Sequence, residues 1–163
     1  MSRSRTEIVG ARQDEYQGLI ENISKAIDEG RKQAASVVNQ TLVQTYWNIG
    51  RYIVEFEQNG NMKADYGLEI IDNLARDLSA RYGRGFSRSN LFQIRKFYQR
   101  FPKVQTLSGQ LSWSHYQEIL KTDSDLEMGF YIKECEQGNW SVRELKRQMK
   151  SMLFHRIDRK SVV

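Results

Sequence analysis

A near-heptad apolar stripe, Ala34, Val37, Val38, Leu42, Thr45, Ile49, Ile53 and Phe56, predicts one long helix over residues 31–58. Its period lies near 3.5, so it must pack lengthwise along another helix. Tyr46 and Trp47 widen the apolar surface. Two partners fit: a helix of the same bundle, or a second copy in a homodimer seam through helix 31–58. Upstream, Tyr16, Leu19, Ile20, Ile23, Ala26 and Ile27 give a second helical stripe over residues 12–29, with Gly30 as an expected interruption. Residues 1–11 are polar and read as a disordered N-terminus.

The remaining chain repeats the helical period. Asn59, Gly60 and Asn61 suit a left-handed cap, and residues 62–66 read as a loop. A helix over residues 67–82 is expected to bury Leu68, Ile71, Leu74, Ala75, Leu78 and Tyr82. Gly83-Arg84-Gly85-Phe86 turns into a helix ending at Pro102, and residues 103–111 form a polar loop. Ser114 with Gln117 predicts a capping box, with Trp113 stapled onto the first turn. Residues 125–137 predict a helix that buries Leu126, Phe130, Tyr131 and Cys135 and closes at Gly138. Ser141 with Glu144 predicts a second capping box, opening a helix that buries Val142, Leu145, Met149, Met152 and Leu153. No stretch alternates with period two for long. The expected fold is therefore all-α: a bundle of about six helices over residues 12–156, with a tail at 157–163.

Residues 87–102 carry the most informative surface. Ser87 is a suitable N-cap, and Leu91, Ile94, Phe97, Tyr98 and Phe101 form the apolar stripe. Arg88, Ser89, Phe92, Arg95, Lys96 and Gln99 fall on the opposite side. Residues 78–117 contain no Asp or Glu but hold Arg81, Arg84, Arg88, Arg95, Lys96, Arg100 and Lys103. A solvated helix face usually mixes signs. A field of one sign suggests an anionic partner, nucleic acid being the commonest. The alternative is that these cations pair with carboxylates elsewhere in the fold or sit in water. The preceding helix, short Gly-containing turn and basic helix have the outline of a helix-turn-helix. Asn90, Gln93 and Arg88, near the helix start, are the candidates for base-edge contact. A second basic block, Arg143, Lys146, Arg147 and Lys150, lies on the last helix.

Catalytic constellations are missing. The sequence has no phosphate-cradling Gly loop, no HExxH and no cysteine pair for zinc. No cofactor or metal is expected. His115, at a helix start, reads as structural. Glu144-Leu145-Lys146 has the Glu-x-Lys spacing of restriction-type metal sites, but those need a strand to align the two side chains. Cys135 is the only cysteine and excludes an internal disulfide, which suits a reducing compartment. Neither a signal peptide nor a membrane span is expected, so the cytoplasm is the default.

Four segments then carry a resemblance. They are Val38-Asn39-Gln40-Thr41-Leu42-Val43-Gln44-Thr45-Tyr46-Trp47-Asn48-Ile49-Gly50, Gly85-Phe86-Ser87-Arg88-Ser89-Asn90-Leu91, Leu111-Ser112-Trp113-Ser114-His115-Tyr116 and Asn139-Trp140-Ser141-Val142-Arg143-Glu144-Leu145-Lys146-Arg147-Gln148. In this order they resemble the N-terminal helical domain of the YhcG-like family of bacterial PD-(D/E)xK nucleases. That resemblance implies a nuclease domain in cis in full-length relatives, and its site residues are not among those here. The expectation is a non-catalytic, DNA-binding accessory domain. Its candidate contacts are Arg84, Arg88, Ser89, Asn90, Phe92, Gln93, Arg95, Lys96, Gln99, Arg143, Lys146, Arg147 and Lys150. The alternative is a dimerisation or partner-docking module using helix 31–58.

Overall fold

A computed structural model describes the backbone of residues 5–61 and 64–161, and the side chains of residues 9–59 and 69–160. Seven α-helices follow one another: α1 (Arg5–Phe56), α2 (Ala64–Tyr82), α3 (Arg88–Arg100), α4 (Trp113–Ile119), α5 (Asp125–Gly138), α6 (Val142–Lys150) and α7 (Leu153–Ser161). A π-helical turn, Glu57–Asn61, extends α1, and a 3-10 turn, Val104–Thr106, follows α3. No strand occurs among the described residues, so the fold is all-α. The chain divides into two units, Met1–Val38 and Asn39–Val163, with the boundary inside α1.

In the first unit the helix is continuous through Gly30, which does not interrupt it, and begins at Arg5 within the stretch expected to be disordered. Its stripe is the helical one read over residues 12–29. Of it, Tyr16, Leu19, Ile20, Ile23 and Ile27 are exposed.

The second unit has a well-packed core. α1 contributes Val43, Tyr46, Trp47, Ile53 and Val54, all buried. That spacing lies about one residue off the stripe read from sequence, where Val38, Leu42 and Phe56 turn out exposed. The reason is that Tyr46 and Trp47 carry the largest apolar surfaces and fix the rotation of the helix. Val43, Tyr46, Trp47, Ile53 and Val54 are therefore intramolecular core. Tyr46 meets Trp113 edge-on, with ring centroids 5.0 Å apart. Phe97 meets Trp113 at 5.2 Å and Tyr116 at 4.8 Å, so aromatic contacts join α1, α3 and α4. The Trp47 indole Nε1 donates to the Phe101 carbonyl at 2.6 Å, satisfying a buried acceptor at the end of α3.

Helix ends follow local chemistry. Ser87 caps α3 by accepting the Asn90 N–H at 3.1 Å, as the sequence suggests. The α4 cap is different from the expected Ser114–Gln117 box. Ser112 is the N-cap, accepting the His115 N–H, while His115 Nδ1 accepts the Ser112 N–H at 3.1 Å. Trp113 is then the first helical residue and is buried, not stapled from outside. The Nε2 of His115 donates to the Trp140 carbonyl at 2.8 Å, which accounts for both ring nitrogens.

α5 closes one residue later than expected. Asn139, with φ 48°, takes the left-handed position, and Gly138 stays helical. A Cβ at Gly138 would lie 2.5 Å from Trp140 Nε1, so the glycine makes room for the indole. Met128, Tyr131 and Cys135 form the buried face of α5, whereas Leu126 is exposed. The final helix is broken at Met152, where φ is 55°, and α7 resumes at Leu153. Tyr82, expected in the core, is exposed. Of the loop expected over residues 62–66, residues 64–66 belong instead to α2, while residues 62 and 63 and the Leu68 side chain lie outside the described residues.

Burial pushes the Tyr116 phenol up to about 12 and the Cys135 thiol up to about 11, from ordinary values of 10.0 and 9.0. Both folded values are raised, so the associated stability is complete below the ordinary values and is lost as pH rises through the folded ones. The urea midpoint is expected to fall between pH 9.0 and about 11, and Cys135→Ala should delay that fall. A midpoint constant over that range would contradict the burial of this thiol.

Candidate nucleic-acid interface

Polar side chains of α3 meet α4 through Gln117, and α4 in turn packs on α6. Gln117 Nε2 donates to Gln93 Oε1 at 2.8 Å and to Asn90 Oδ1 at 3.3 Å. The neighbouring Glu118 faces the other way, with an oxygen 3.8 Å from Lys146 Nζ and 3.0 Å from Lys121 Nζ. Adjacent residues of α4 thus reach both basic helices.

The candidate contacts fall into three groups. Arg84, Ser89, Lys96, Gln99, Arg143 and Lys150 are exposed. Among the described residues, none of the four cations in that group has a carboxylate within 4.0 Å. Arg88, Lys146 and Arg147 are exposed but ion-paired. Arg88 lies 2.8 Å from Asp72 and stacks over the half-buried Phe92 ring, 5.4 Å from its centroid. Arg147 lies 2.6 Å from Glu144. Exposed pairs of this kind contribute roughly 0–1 kcal/mol, so a phosphate can replace the carboxylate at small cost.

The third group is turned inward. Arg95 pairs with Glu57 at 2.7 Å, with side chains only 29% and 12% exposed. Asn90 donates to the Gly85 carbonyl and accepts from Trp113 Nε1 and Gln117. Gln93 accepts from Gln117. Asn90 and Gln93, the residues expected to read base edges, therefore hold α3 to its own neighbours. Arg100 belongs to the same basic stretch but donates to the Thr122 carbonyl at 2.7 Å. Sequence reading missed Gln117 and Trp113 as polar partners of α3, because nothing local marks contacts across more than twenty residues.

The Glu-x-Lys pair is taken apart by its surroundings. Glu144 accepts from Arg147 and Gln148, which hold its carboxyl down at about 2, while Lys146 reaches Glu118. Ser141 caps α6 by accepting the Glu144 N–H at 3.2 Å, but the Glu144 carboxylate turns to Arg147 rather than back to the cap. No group of three His, Cys, Asp or Glu side chains suited to a metal occurs among the described residues. No described helix is long and apolar enough to cross a membrane.

The profile of the DUF1016 N-terminal domain matches residues 22–156. The chain belongs to that family. Among relatives of this DUF1016 N-terminal domain is the Escherichia coli (strain K12) protein named "Putative nuclease YhcG". It is 35% identical over an alignment covering 86% of this chain and 46% of the relative. The chain thus spans less than half the length of that relative. No solved structure matches. The resemblance seen in the four sequence segments is to this family, and the DUF1016 N-terminal domain is here an all-α structure.

Proposed function

We propose that this domain binds DNA without cleaving it and serves a nuclease-type protein as its accessory module in the cytoplasm. The reading rests on Arg84, Lys96, Arg143 and Lys150, exposed cations free of carboxylate neighbours among the described residues, on and beside two helices that flank α4. The name of the E. coli relative supplies the nuclease setting. Such cations neutralise phosphates and release counterions, so binding should weaken with salt. The α2–turn–α3 arrangement is consistent with a helix-turn-helix, but phosphate contact from exposed cations is favoured over base reading by Asn90 or Gln93, whose side chains are engaged internally.

The test is a duplex DNA titration at several salt concentrations. One variant carries Arg84→Gln and Lys96→Gln, the other Arg143→Gln and Lys150→Gln. Each is expected to reduce the slope of log affinity against log salt by roughly one unit per lost contact. These sites are exposed, so stability should change by no more than about 0.5 kcal/mol. Unchanged affinity and slope in both variants would reject the interface. In Mg²⁺ or Mn²⁺ the same DNA should stay intact, and cleavage abolished by Glu144→Ala would overturn the non-catalytic part.

A further inference from the structure

The first unit, Met1–Val38, leaves a long apolar stripe in solvent. Tyr16 is 60% exposed, Leu19 53% and Ile23 51%, and Val9, Ile20 and Ile27 are exposed as well. A surface helix normally turns such a stripe toward a core. Here six of the eight a and d positions of one heptad register are apolar. Gln13, Ile20, Ile27 and Ala34 occupy its a positions, and Val9, Tyr16, Ile23 and Gly30 its d positions. Leu19 and Ala26 extend the apolar face at g.

The charges are sorted by the same register. Asp14, Glu21 and Asp28 fall at b, Glu15 and Glu29 at c, and Lys25 and Lys32 at f, all on the outer side. Only Arg12 at g and Arg31 at e flank the stripe. A helix whose apolar face had no partner would gain nothing from confining its charges in this way. The pattern is that of a left-handed coiled coil, in which a and d residues insert between those of a facing helix.

Length identifies the facing helix. From Val9 to Ala34 the stripe runs about 37 Å at 1.5 Å per residue. The next longest described helix, α2, has 19 residues and reaches only about 28 Å by the same rise. A second copy of α1 matches the stripe in length, period and apolar width. Its charges also permit the match. Residues 9–38 carry four basic and five acidic side chains, and the e and g positions place no like charges opposite each other in a parallel, in-register pair. We infer that residues 9–34 of α1 form a self-associating coiled coil with a second copy of this chain. The seam is distinct from the buried segment of α1 and independent of the DNA-binding reading.

The experiment measures the mass of the full chain by light scattering and sedimentation across roughly 1–100 µM, a range in which a specific self-association of micromolar affinity is visible. The wild type is expected at twice the single-chain mass or more. Ile20→Glu, Ile23→Glu and Ile27→Glu combined should return it to the single-chain mass, since Glu keeps helix propensity but cannot enter the seam. Asn22→Glu with Lys25→Glu, on the outer side, should keep the wild-type mass. Near-ultraviolet circular dichroism of Trp47, Trp113 and Trp140 reports separately that the second unit stays folded. A wild type that remains single throughout overturns the inference, whatever the variants do. So does a folded triple variant with wild-type mass.

Discussion

Gly50→Ala is expected to destabilise the second unit by about 3 kcal/mol, the upper part of the usual range for overpacking a core. Gly50 is buried on α1 where that helix crosses α3. A Cβ there would lie 2.5 Å from the Ile94 carbonyl oxygen and 2.9 Å from Tyr98 Cβ. The first obstacle is backbone in the middle of α3, so relief requires the helices to separate. Separation would loosen the nearby Trp47–Tyr98 contact, whose ring centroids are 5.2 Å apart. Alanine also gains roughly 1 kcal/mol of helix propensity over glycine. The clash is the larger effect, so the net sign is unfavourable. A fall in melting temperature of roughly 6–12 °C follows for a domain of this size. Gly129→Ala is the control: a Cβ there meets nothing within 4 Å, and only the propensity gain remains. If Gly50→Ala melts at or above the wild type, the two helices do not approach as closely as described.

The sites that were legible in the sequence are those decided by near neighbours. Ser87 caps α3 three residues from the N–H it accepts, and Pro102 ends it through its own ring. Helical period and the lack of alternation were enough for the all-α class. The cap at Ser112 was obscured because its reciprocal partner is His115, not the usual Glu or Gln. The buried face of α1 was misplaced by one residue because period alone cannot weigh Tyr46 and Trp47 against Leu42 and Thr45. For the interface, composition located the positive charge but not its partners. Arg95 meets Glu57, 38 residues away, and Asn90 meets Trp113 and Gln117, 23 and 27 residues away. Those pairings decide which polar groups remain for a ligand, and they exist only once the helices are packed.

Arg100 separates the structural cations from those available to DNA. Its side chain is 15% exposed, and its guanidinium donates to the Thr122 carbonyl at 2.7 Å and to Thr122 Oγ1 at 3.3 Å. It also approaches the Leu120 carbonyl and Asp125, each at 3.5 Å. These acceptors lie where α4 ends and the chain turns toward α5, so one cation serves carbonyls left without helical partners. Arg100→Met keeps much of the aliphatic volume but leaves the buried Thr122 acceptors without their charged donor. The expected loss is about 2–3 kcal/mol, the scale of a charge-assisted hydrogen bond with its acceptor left unpaired. Arg100→Lys should recover only part, because an ammonium cannot reproduce the planar fork. The exposed Asp125 carboxylate contributes little, so Asp125→Asn should be nearly silent. Binding supplies the second axis. Measured where the variant remains folded, Arg100→Met should leave the salt slope of DNA binding unchanged, whereas loss of Lys96, four residues earlier on α3, should lower it by about one unit. A reduced slope at full stability in Arg100→Met would instead move this arginine from the bundle interior to the DNA-facing surface.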